Sequence, residues 1–180
     1  MGAGVQIREA TESDAVQVAE LWTEAYVTLS VGGRSESYRA ADFFASARAG
    51  EVLVVDAEEG IAGAVVLLGP EAPQRAEARE GEAEIARLAV AATARRGGIG
   101  RALVEFCEQR ARAAGWRSIA LWSRPGQVEA HRLYESLGYR RVPERDSTDA
   151  TGHRRLVFRR ELELGAEQGL PESRPGPDRT

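Results

Sequence analysis

Between Glu82 and Gly115 the chain passes from an alternating strand pattern, through the stretch ARRGGIG, into an amphipathic helix pattern. In EAEIARLAV, residues Glu84, Ala86, Leu88 and Val90 recur at every second position and fall on one face of a strand. After the glycines, Ile99, Leu103, Phe106, Cys107 and Ala114 mark one side of a helix that Gly115 ends. A short apolar strand, SIALWS, follows. A β-α-β unit of this kind needs a sheet for its strands and a helix layer against one face of that sheet.

The rest of the chain supplies the remaining elements. VQIREA alternates as a short strand, and TESDAVQVAELWTEAYV reads as a helix with Thr11 or Ser13 as cap and Val18, Leu21, Trp22 and Ala25 at helical spacing. SVGGRSES is a turn, and YRAADFFASARAG is a second helix ended by Gly50. EVLVVDAEEGIAGAVVLLGP holds two β-rich runs about a hairpin at AEEG, and EAPQRAEAREG is a loop. VEAHRLYESLG places Ala130, Leu133, Tyr134 and Leu137 on one helix face, and HRRLVFRREL is a last strand. The order β-α-α-β-β-β-α-β-α-β predicts an α/β domain with a mixed sheet and helices on both faces. At 180 residues one domain is expected, over residues 1–164. Residues 165–180 are rich in Gly, Pro and charge and are expected to be disordered.

Charge narrows the partners. The net charge is −4, where a nucleic-acid binder is usually basic, so no nucleic acid is expected. All 24 basic residues are arginine, as the chain has no lysine. The single cysteine, Cys107, allows no internal disulfide and fits a reducing cytoplasm. No apolar run approaches the ~20 residues of a membrane span, and the first ten residues lack the charged-then-apolar order of a leader. No metal site is expected.

The glycine stretch carries chemistry. The first N–H groups of a helix lack partners and carry about half a positive charge, and glycines let an anion reach them. From 95 to 117 there are six arginines and two glutamates, a local +4 in a −4 chain. This composition points to a phosphate or pyrophosphate cradle, with a bare strand-to-helix turn as the alternative. A P-loop is excluded by the absence of lysine. The dinucleotide fingerprint starts at Gly98 and Gly100 but meets Leu103 where Gly or Ala belongs, and no acidic residue stands in LWSRPGQ.

In RRGGIGRA, Arg95, Gly98 and Gly100 satisfy R/Q-x-x-G-x-G/A, which resembles the acetyl-CoA-binding motif of GNAT-type N-acetyltransferases. The preceding EIARLAV, the following SIALWSRPGQVEAHRLYESLGYRRV with its A-x-x-L-Y-E-x-L-G-Y ending, and the opening IREATESDAVQVAEL extend the resemblance over about residues 5 to 160. It implies a GNAT-like fold with a mostly antiparallel central sheet. It also implies acetyl-CoA as co-substrate, its pyrophosphate on the backbone of Arg96, Gly97, Gly98, Ile99, Gly100 and Arg101, with Arg95 opening the motif. Leu88, Ala89 and Val90 would pair with the pantetheine arm like an added strand, with the acetyl carbonyl near Val90, where this strand and SIALWS splay apart.

Transfer to an amine needs a neutral nucleophile, a donor for the oxyanion and a proton for the thiolate. The resemblance makes Tyr134 the general acid and Glu84 the candidate base; His131, one turn before Tyr134, reads as a surface or supporting residue with a catalytic role as the lesser alternative, and His153 is assigned none. Many family members carry Asn seven residues before the tyrosine. Here Gln127 keeps the amide on a longer stem. The acceptor, a small-molecule amine or a protein N-terminus, would meet the region between the first two helices together with the loop before Glu84, where Trp22, Tyr26, Tyr38, Glu24, Glu36 and Asp42 are available. The acidic balance favours a cationic acceptor. A monomer or a homodimer is expected. A non-catalytic acetyl-CoA sensor and a nucleotide-binding regulatory domain are the competing readings.

Overall fold

The computed structural model describes residues 5–27, 37–150 and 152–163. The turn expected before Ser37 and the disordered tail expected over 165–180 lie outside them. The strands are β1 (Ile7–Glu9), β2 (Glu51–Asp56), β3 (Ile61–Leu68), β4 (Ala83–Val90), β5 (Ser118–Ser123), β6 (Arg140–Arg141), β7 (Ser147–Thr148) and β8 (Arg154–Glu161). The helices are α1 (Ala15–Val27), α2 (Ala40–Ala49), α3 (Ile99–Ala113) and α4 (Val128–Ser136). The sheet order is β1-β2-β3-β4-β5-β8-β6, with β7 paired to β8. Every pairing is antiparallel except β4 with β5.

The unbroken apolar runs of β2 and β3 exist because both sheet faces are covered. Val52, Val54, Ala64, Val66 and Leu68 meet Val18, Leu21 and Trp22 of α1 and Phe43 of α2. Leu53, Val55, Val65 and Leu67 meet Leu103, Val104, Cys107 and Ala111 of α3 and Tyr134 of α4. The α3 stripe is therefore built on Leu103, Val104, Cys107 and Ala111; Ala114, expected in it, is an exposed cap residue past the helix end. Thr11 caps a 3₁₀ turn, Glu12–Asp14, that leads into α1, and its N–H donates to Asp14 Oδ2 at 2.7 Å. Neither β6 nor β7, at two residues each, is long enough to show a period.

One expectation is corrected by a bulge. In the β3–β4 ladder Ala64 faces Ala89 while Val66 faces Ala86, so β4 carries an extra residue between them. Arg87 stands there with a left-handed φ of +52°. Alternation breaks at that point. Ala86 packs with the α1/α2 core, and Leu88 packs with the α3/α4 core. Glu84 and Ala86 therefore do not share a face with Leu88 and Val90.

The loop before β4 is held by buried charge. Glu82 accepts from the Arg79 N–H at 2.9 Å and from Arg145 Nη2 at 2.8 Å, and it also pairs with Arg159. Burial would raise its pKa, but Arg145, the Arg79 amide and Arg159 outweigh burial and hold it at about 2. A carboxyl with a depressed folded pKa stabilises above its unfolded value near 4.5 and loses that contribution as pH falls through the folded value. Urea titrations should thus show stability falling by a few kcal/mol, on the order of 3, between pH 5 and pH 2. Glu82→Gln should remove that part of the slope, and an unaltered slope would deny Glu82 the role.

Candidate functional site

β4 and β5 pair only at Ala83–Ile119, Glu84–Ala120 and Ile85–Leu121. Beyond Ile85 the bulge carries β4 away, while β5 continues in register with β8 through Trp122 and Ser123. Because β4 and β5 are parallel, the helices that follow them, α3 and α4, start at the same end of the sheet. The glycine stretch and the RPGQ turn therefore meet. A groove of about 1010 Å³ opens between them, lined by Leu88, Ala89 and Val90 of β4, by Arg95, Arg96, Gly98, Ile99, Gly100 and Arg101, and by Gln127, Arg132 and Leu133. Tyr26 of α1 closes its far side.

The cradle lies at the mouth of α3. The first helical hydrogen bond runs from the Ala102 N–H to the Gly98 carbonyl, at 2.9 Å. The six amides from Arg96 to Arg101 donate to no described residue. Gly98 takes φ +80°, a conformation that a β-carbon makes costly, and its side-chain space is open. A Cβ on Gly100 would stand 3.4 Å from Leu133 Cδ2 and 3.7 Å from Val90 Cγ2, so glycine sets the approach of α3 to α4 and β4. Around these amides Arg96 and Arg132 have no partner among the described residues. Arg101 donates to Ser136 Oγ at 2.7 Å and pairs with Glu105 at 3.3 Å.

Along β4, the Leu88 carbonyl accepts from Tyr26 Oη at 3.1 Å and the Val90 carbonyl from Arg95 Nε at 3.4 Å. Both face away from the β3 ladder. Gln127 Oε1 accepts from the Arg124 N–H at 2.7 Å, so its carbonyl end fastens the turn and its amino end is left to the groove. His131 Nε2 lies 3.0 Å from the Arg124 carbonyl and secures the same turn.

Tyr134 sits directly behind Leu133, only 5% exposed, its ring 5.6 Å from Phe158 and 6.1 Å from Tyr139. It belongs to the core rather than to the groove lining. Burial raises its phenol well above the ordinary value near 10. Its hydroxyl bonds to no described residue, and unlike Tyr139 Oη it is not sealed from solvent.

Glu84, expected as the base, is placed elsewhere. It is 1% exposed and does not line the groove. Its carboxylate accepts the N–H groups of Ala76 at 3.0 Å, Glu77 at 2.8 Å and Ala78 at 2.8 Å, which anchors the loop before β4. Three amides and near-complete burial commit this carboxylate to the loop, away from an amine in the groove. Glu84→Gln should lower stability by about 1–3 kcal/mol, because an amide nitrogen then faces those donors, and should leave the pH dependence of turnover unchanged in shape. A normal melting temperature with a lost pH limb would restore the base.

A second groove, about 1120 Å³, lies at the opposite end of β4 and is lined by Arg79, Glu82, Arg140, Arg145, Arg159 and Arg160 among others. It is larger, but most of its guanidinium groups are consumed: Glu82 takes Arg145 and Arg159, and Glu108 takes Arg160 and Arg112. The groove at α3 instead offers unspent donors. Arg132 in that groove was not anticipated from the sequence. The signal lay in topology: parallel β4 and β5 bring the starts of α3 and α4 together, and Arg132 lies on the part of α4 that lines the groove between them.

Residues 15–139 match the family model described as Acetyltransferase (GNAT) family. No curated protein matches the sequence. Among solved structures, smu.2055 of Streptococcus mutans is 20% identical with a TM-score of 0.69, covering 88% of this chain and 99% of its own. The ribosomal-protein-S18-alanine N-acetyltransferase of Escherichia coli is 16% identical with a TM-score of 0.65, covering 92% and 98%. The yncA protein of Salmonella typhimurium, solved with its cofactor acetyl-CoA, is 18% identical with a TM-score of 0.68, covering 95% and 99%. At such identities the likeness is one of fold. Among the described residues no helix is long and apolar enough to cross a membrane, and no cluster of His, Cys, Asp and Glu could hold a metal ion.

Proposed function

The chain belongs to the GNAT acetyltransferase family, and on that premise we propose that it transfers the acetyl group of acetyl-CoA to an amine in the groove between β4 and α4. The family uses acetyl-CoA, and the residues of this groove fit it. Consecutive unpartnered amides, a glycine at φ +80° with open space beside it, and two unpaired arginines suit a diphosphate. The open edge of β4 suits the amides of pantetheine. The row of amides from Arg96 to Arg101 is the observation that carries the proposal.

Acetyl-CoA supplies an activated thioester carbon. The groove holds it with Arg96 to Arg101 on the diphosphate, Leu88 to Val90 along the arm, and the amino end of Gln127 beside it. The amine attacks the carbonyl carbon, the C–S bond breaks, and the amine's surplus proton goes to water. Tyr134 Oη gives its proton to the departing sulfur and regains one from solvent. With Glu84 committed to its loop, the reading assigns no base, and the amine arrives neutral. That suits an α-amino group better than a lysine-type amine near 10.4.

Mass spectrometry of an amine panel incubated with labelled acetyl-CoA tests the reading. Labelled amide together with free CoA thiol is the expected result. Bound acetyl-CoA with no product across the panel would make the chain a sensor instead.

A further inference from the structure

Arg87 stands at the bulge, on the side of β4 opposite Leu88, and its surroundings are unusual for a guanidinium. Its Cζ lies 5.0 Å from the ring centre of Trp22 and 5.0 Å from that of Tyr38. Nη1 donates to Ser46 Oγ at 3.1 Å and to the Asp42 carbonyl at 3.4 Å. These contacts orient the group without neutralising it. No described carboxylate lies within ion-pairing distance, as the Asp42 carboxylate is turned to the Arg39 N–H at 2.8 Å. Nε and Nη2 have no acceptor and are not sealed from solvent. Trp22 Nε1, on one of the two rings, is a buried donor that also lacks an acceptor among the described residues. A half-buried cation with spare donors and no counter-charge is a binding site for a planar anion.

Arg87 does not itself line the groove; β4 and Tyr26 are what join its surroundings to the transfer site. Leu88, the next residue, lines the groove, and its carbonyl accepts from Tyr26 Oη. The Tyr26 ring is 5.9 Å from the Tyr38 ring that carries the guanidinium. Arg87 also holds φ +52°, which is rare outside glycine, so the bulge itself aims this side chain.

We infer that Arg87 selects the acceptor by binding a carboxylate on it, so that the acceptor is a small amine bearing a carboxylate, of the amino-acid class. This rests on the transfer reading above and names its substrate class. It reverses the expectation from the overall charge: the −4 chain favours cations at long range, but the local field at the bulge favours an acid. The rings that hold Arg87 are the same Trp22 and Tyr38 that sequence alone offered as contacts for a cationic amine.

The test compares free amino acids with their carboxamides as acceptors, using the full chain and following thiol release. The carboxamides have the lower amine pKa, so the comparison is biased against the expected result. Wild type should favour the acids by roughly ten- to a hundredfold in kcat/KM, mainly through KM. Arg87→Gln should bring that ratio near one, and Arg87→Lys should restore part of it, with the Kd for acetyl-CoA unchanged in both. Equal use of acids and carboxamides by wild type, a preference that survives Arg87→Gln, or acetylation confined to amines without a carboxylate would overturn the inference while leaving acetyl transfer intact. If acetyl-CoA binds and no acid is acetylated, the inference also fails. If acetyl-CoA does not bind, the transfer reading falls first and the inference with it.

Discussion

Gly98→Glu is expected to weaken acetyl-CoA binding by roughly a hundredfold or more while the chain remains folded. Two effects act together. A β-carbon at φ +80° carries a conformational cost of about 1–2 kcal/mol. The new carboxylate then stands where the diphosphate would take the amides of Ile99, Gly100 and Arg101, and like charges repel. The fold should survive because a Cβ at this position meets nothing within 4 Å. Gly98→Asn separates the two effects, since asparagine tolerates the left-handed region and adds no charge. It should bind acetyl-CoA within about tenfold of wild type. Calorimetric titration beside a melting curve checks both variants, and wild-type affinity in Gly98→Glu would place the diphosphate elsewhere.

Tyr134→Phe is expected to reduce turnover by roughly ten- to a thousandfold with acetyl-CoA affinity retained. The ring contacts to Phe158 and Tyr139 survive the change, and the hydroxyl has no hydrogen bond to a described residue to lose. Stability should therefore stay near wild type, which isolates the proton. Burial raises the phenol above its ordinary value, so Tyr134 keeps its proton throughout the neutral and mildly alkaline range. Wild-type turnover should rise with pH as the amine loses its proton and should show no fall below pH 10, where an unperturbed phenol would begin to ionise. Unchanged turnover in the phenylalanine variant would remove Tyr134 from the chemistry.

The order of the elements and the two-sided sheet were legible because β2 and β3 are unbroken apolar runs and the α3 stripe carries a helical period. The glycine stretch stood out for a different reason: Gly98 and the arginines around it follow no apolar period, which pointed to a ligand rather than to the core, while the packing of Gly100 against Leu133 and Val90 was visible only in the fold. The face of Glu84 was misread because alternation was carried through Arg87. Nothing in EIARLAV marks a bulge, as the residue at the left-handed position is an arginine rather than a glycine, and the register is set by β3 across the ladder. The place of Arg87 was hidden for the same reason, since only the bulge brings it between Trp22 and Tyr38. Arg132 emerged only with the parallel β4–β5 pairing, a contact between strands distant in sequence.

The central claim is that the mouth of α3 receives the diphosphate of acetyl-CoA, and backbone amide NMR reads that directly. On titration with CoA, the ¹⁵N–¹H signals of Arg96 to Arg101 should shift most, with those of Leu88 to Val90 following. Shifts concentrated instead on Arg79, Arg140 and Arg159, in the larger groove at the other end of β4, would contradict it.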